Sequence, residues 1–71
     1  MPCYVEYHQK TGTGLGLLHL AATTVKTERF NTVEEADEFI KDLREDPDVD
    51  FIELWCAHPN GWRLLNQIDL S

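Results

Sequence analysis

Basic residues are scarce in this chain: six Lys and Arg stand against thirteen Asp and Glu in 71 residues, for a formal charge of −7. Phosphate contacts need Lys and Arg, so the balance argues against direct binding of nucleic acid or of an anionic membrane. Cysteine is scarce too. Cys3 and Cys56 are too few for a disulfide framework and lack CxxC spacing, so the expectation is two small buried thiols in a reducing cytosol, with a disulfide between them as the less favoured alternative. No run approaches the ~20 apolar residues of a membrane span. The opening MPCYVEYH has neither the basic end nor the apolar stretch of a signal peptide, which points to a soluble, cytoplasmic protein.

Apolar residues make up 42% of the chain, with two Trp, three Phe and two Tyr, enough for a folded domain and too many for a disordered tail. One domain spanning residues 1–71 is expected. A chain this short hides only roughly 60% of the surface its unfolded form exposes. Its core is therefore thin, and chains of this size often add a metal, a disulfide or a partner subunit.

The stretch TGTGLG, Thr11 to Gly16, looks at first like a phosphate-binding loop. A dinucleotide loop, however, needs G-x-G-x-x-G opening a helix, and here Leu17 stands where the third glycine belongs and a Thr-rich segment follows. The stretch therefore reads as a hairpin tip between CYVEYH and LLHLAATTVKT. Centring the turn between Thr13 and Gly14 pairs Tyr7 with Leu20, Val5 with Ala22 and Cys3 with Thr24. FNTVEEADEFIKDLREDP then carries a capping box, Thr32 to Glu35, and apolar residues at helical spacing: Val33, Ala36, Phe39, Ile40 and Leu43. Pro47 stops the helix at about Glu45.

DVDFIELWCAHPNGWRLLNQIDL gives two strands around HPNG, with Pro59 at the first turn corner and Gly61 free to take positive φ as a bulge. That register puts Ile52, Leu54, Cys56 and His58 on one face with Ile68, Asn66, Leu64 and Trp62. Phe51, Glu53, Trp55, Ala57, Arg63, Leu65, Gln67 and Asp69 fall on the other. The element order is ββαββ, an α+β fold with a four-stranded sheet and one helix packed on one face. Two strand orders compete: the first and last strands central and parallel, as in immunoglobulin-binding bacterial domains, or an all-antiparallel sheet.

One helix covers one face of such a sheet, and the aliphatic set is the natural choice. Phe51, Trp55, Leu65 and Tyr4 are then left on the other face beside Arg63, residue types enriched at interaction hot spots. The competing reading folds another part of the chain over them as a minor second core. Acidic residues concentrate between Glu28 and Glu53, which holds eleven acids and three bases for a net of −8, while the rest of the chain sums to +1. Glu34, Glu38, Asp42 and Glu45 form the outer helix face, with i, i+4 pairs of Lys41 to Asp37 and to Glu45 offsetting part of the repulsion. Glu45 and Asp46 at the helix exit oppose the macrodipole, which invites a functional reading. An acidic ridge of this kind can imitate a nucleic-acid backbone.

No catalytic signature emerges. His8 and His19 face each other in the assumed register, and Cys56 and His58 are two apart, but neither pair has a third ligand at metal spacing or the geometry of a nucleophile and its base. No cofactor and no metal are expected, and no enzymatic activity. The helix opening RFNTVEEADEFI and the hairpin LWCAHPNGW are similar to those of small acidic proteins from bacteriophages and mobile elements, including several anti-CRISPR inhibitors of the same element order. The resemblance transfers no functional residue. What it implies is a stoichiometric, non-enzymatic binder of a host nucleic-acid-binding defence complex. The alternative is a small homodimer, regulatory or structural, whose open faces pack together.

Overall fold

The computed structural model describes residues 2–10 and 23–70. Two strands, β1 (Cys3–Lys10) and β2 (Thr23–Phe30), precede the helix α1 (Val33–Arg44), and two more, β3 (Val49–His58) and β4 (Gly61–Asp69), follow it. The strands form one antiparallel sheet in the order β2-β1-β3-β4. Of the two competing orders the all-antiparallel one is found, with β1 and β3 central and the last strand at an edge. No helix among the described residues is long and apolar enough to cross a membrane.

The helix forms where its signals lie. Thr32 is the N-cap with extended backbone, and its Oγ1 accepts from the Glu35 N–H at 3.2 Å, supplying one of the bonds the first turn lacks. Ala36, Ile40 and Leu43 are buried against the sheet, with Val33 and Phe39 partly buried beside them. The exit is closed by a side chain: Asp46 Oδ1 accepts from the Asp48 N–H at 2.9 Å, and the Val49 N–H donates to the Asp46 carbonyl at 3.2 Å. This local turn bends the chain back into β3.

The covered face is aliphatic. Cys3, Val5, Val49, Ile52, Leu54 and Cys56 are buried beneath α1 together with its own buried residues. Cys3 and Cys56 are joined in a disulfide, which corrects the expectation of two free thiols. The strand order is what brings them together: β1 lies beside β3 with Cys3 directly opposite Cys56 on the face beneath the helix. Linear spacing carries no trace of that adjacency.

Two registers differ from the sequence reading. In the β1–β2 pair Cys3 lies opposite Phe30, not Thr24, a shift of six residues. The shift is even, so each residue keeps its face, and Phe30 reaches Phe39 of the helix with ring centroids 5.1 Å apart. That aromatic contact over the core outweighs a turn placed by its glycines. The TGTGLG tip and residues Leu17 to Ala22 lie outside the described residues. In the β3–β4 pair the expected partners Ile52–Ile68 and Leu54–Asn66 are present, but then the register slips, and Trp55 faces Leu64, Cys56 faces Arg63 and Ala57 faces Trp62. The extra residue expected at Gly61 sits at Leu65. Gly61 does take positive φ, at 127°, a conformation glycine adopts without strain.

Candidate functional site

Moving the bulge to Leu65 decides what the uncovered face carries. Trp62 and Leu64, expected on the helix side, turn to the open side with Trp55, and Arg63 goes to the helix side opposite Cys56. No α1 residue comes within 8 Å, Cα to Cα, of β4, so an indole at Trp62 on the helix side would find no helix to cover it. On the open side it lies opposite the small Ala57 and meets the Tyr4 ring edge-on at 4.8 Å. Tyr4 in turn is stacked beside Trp55, with centroids 6.2 Å apart. The Arg29 guanidinium lies over the Trp62 ring at 5.5 Å, a cation–π contact.

The result is a cluster of Tyr4, Trp55, Trp62 and Arg29 drawn from all four strands. Of the residues expected at this face, Tyr4, Trp55 and Phe51 are there, each half-buried. Phe51 stands apart from the cluster, packed on His8 at 5.2 Å. Leu65 occupies the bulge and is 50% exposed, while Trp62 is 41% exposed. Arg63 does not belong to this face. Arg29 and Trp62 were missed: no pattern in the sequence ties Arg29 to a residue 33 positions away, and Trp62 was placed wrongly by the bulge alone.

Two features of this face weigh against stability among the described residues. Glu6 lies directly opposite Glu53 in the middle of the sheet, both half-buried, and like charges so placed are destabilising. The Trp55 Nε1–H is covered yet has no acceptor among the described residues, a deficit worth about 1–3 kcal/mol. Burial of Tyr4, reinforced by the Glu6 and Glu53 carboxylates, raises its hydroxyl pKa above the usual 10.0 because each effect disfavours the phenolate.

The acidic residues lie elsewhere. Glu34, Glu38, Asp42 and Glu45 are exposed on and just beyond α1, on the opposite side of the sheet from the aromatic cluster. Lys41 pairs with Glu38 at 3.7 Å, not with Asp37 or Glu45. Asp46 is not a free charge at all, since it closes the turn into β3 and also accepts from Gln9 Nε2 at 3.4 Å. Between α1 and the uncovered helix side of β4 runs an open groove of about 370 Å³, lined by Asp37, Lys41, Arg44, Asn66 and Ile68 among others. It contains no nucleophile beside a base. Among the described residues no group of three or more His, Cys, Asp or Glu could hold a metal ion, and Cys56 is committed to its disulfide. His19 lies outside the described residues. Comparison with protein-family models, with curated proteins and with solved structures returns no match.

Proposed function

We propose that the chain is a non-enzymatic protein-binding module, an inhibitor by occupancy, that docks through the open face of its sheet. The observation that carries this reading is the cluster of Tyr4, Trp55, Trp62 and Arg29 on a face without a helix, with Trp62 41% exposed at its rim. Trp, Tyr and Arg dominate binding energy at protein interfaces, and a cluster already packed together loses little side-chain freedom on binding. The opposed Glu6 and Glu53 beside it ask for a cation. A partner presenting apolar side chains and a Lys or Arg matches both features.

That partner chemistry agrees with a basic, nucleic-acid-binding complex as the target. The aromatic face and the acidic helix lie on opposite sides of one sheet, so one flat partner surface cannot grip both. The open face is the anchor, and Glu34, Glu38, Asp42 and Glu45 contribute the long-range attraction that speeds encounter with a basic groove. The tests use a partner captured from host lysate with the whole chain as bait. On complex formation, acrylamide quenching of the tryptophan fluorescence should fall as Trp62 is shielded, and association should slow as salt rises. Unchanged quenching in the complex contradicts the open face as anchor; a salt-independent association rate contradicts the steering role of the helix.

A further inference from the structure

We propose that the edge of β2, outermost among the described strands, is a self-association surface, and that it takes a second copy of this chain in antiparallel register about Thr27. β2 is the outer strand beside β1, and the direction of its backbone groups follows from the sheet. The Ala57 N–H donates to the Pro2 carbonyl at 2.9 Å, so Cys3 and Cys56 form the next, non-hydrogen-bonded pair. Alternation along β1 then turns the backbone groups of Cys3, Val5 and Tyr7 toward β2. Their partners Phe30, Glu28 and Lys26 turn inward to meet them. The N–H and C=O groups of Val25, Thr27 and Arg29 therefore point off the edge of the sheet.

An edge of this kind templates pairing unless something blunts it, and a lone lysine is the usual device. Here the lysine has a complement. With a two-fold axis at Thr27, Lys26 stands opposite the partner's Glu28 and Glu28 opposite the partner's Lys26. These are the closely spaced, non-hydrogen-bonded positions of the new ladder, where facing side chains approach most nearly. Both residues are exposed and neither makes an ion pair among the described residues. Thr27 faces Thr27 of the partner subunit. Val25, 51% exposed, faces the partner's Arg29, whose apolar stem can cover it. Val25, Thr27 and Arg29 together supply about six backbone hydrogen bonds across the two-fold.

The opposite edge lacks this logic. β4 is interrupted at Leu65, a bulge that breaks the alternation a paired strand requires. The β2 interface shares only Arg29 with the open-face cluster and leaves the rings of Tyr4, Trp55 and Trp62 outside it, so dimerisation and docking are read by separate experiments. It is tested by sedimentation velocity of the whole chain over a wide concentration range. The wild type should show a reversible monomer–dimer equilibrium. Lys26→Glu and Glu28→Lys, each placing two like-charge pairs across the two-fold, should weaken the dimer at least tenfold, and the double exchange should restore it to within about threefold. Thr27→Pro, which removes an outward N–H without touching the β1 ladder, should also abolish the dimer while circular dichroism stays native. Should a single charge reversal fail to fold, this variant carries the test. A wild type monomeric throughout, a dimer indifferent to the reversals, or a double exchange that stays monomeric would overturn the inference.

Discussion

The two faces of the sheet come from the same strands, alternating residue by residue, and differ in nearly every physical respect. Beneath the helix, β1 and β3 contribute Cys3, Val5, Ile52, Leu54 and Cys56, all buried and stapled by the disulfide. On the other side they contribute Tyr4, Glu6, His8, Phe51, Glu53 and Trp55, all half-buried. The first face buries no polar side chain among the described residues. The second carries opposed carboxylates, an indole N–H without an acceptor among the described residues and large rings at its rim. One face holds the fold together, and the other carries the rings on which the proposed docking rests.

The covered side carries the largest expected losses. Ile52→Ala should destabilise by about 2–5 kcal/mol, since the residue is 1% exposed in a central strand and leaves a cavity beneath the helix; a urea titration measures it. Replacing Cys3 and Cys56 together by Ala should cost about 2–4 kcal/mol by releasing a loop closed across 53 residues. Both cysteines are at most 2% exposed, so dithiothreitol should reduce the pair readily only when denaturant is added, a difference that thiol counting resolves.

Trp55 sharpens the boundary between the faces. It lies in a central strand and is stacked beside Tyr4, so Trp55→Ala should cost about 1–3 kcal/mol as well as impairing binding, less than a fully buried aromatic would. The smallest effect is a titration. Well below pH 10 the Tyr4 hydroxyl is neutral in folded and unfolded chains alike, and its contribution is present in full. As pH rises toward the raised native pKa, the unfolded chain loses its proton first and stability falls. Tyr4→Phe should flatten that alkaline loss in melts recorded above pH 10.

What was legible in the sequence is what local chemistry determines. The Thr32 cap, the spacing from Val33 to Leu43 and the alternation in CYVEYH and DFIELWC produced the element order, the covered face and the place of Tyr4 and Trp55 on the open one. Features set by distant strands were not legible. The Cys3–Cys56 bond and the reach of Arg29 to Trp62 depend on β1 lying beside β3, which no spacing encodes. The bulge at Leu65, where Gly61 was the local signal, moved Trp62 onto the open face and Arg63 off it. Asp46 looked like a functional charge because its exit-turn bonds to Asp48 and Gln9 form only once β1 and the turn are in place.

The division of labour between the faces meets its most direct test in Trp62→Ala, with thermal melting and capture of the lysate partner measured on the same preparation. The ring is 41% exposed and belongs to the open cluster, so the variant should melt within a few degrees of the wild type and lose the partner. A variant that melts far lower while still retaining the partner would contradict the account.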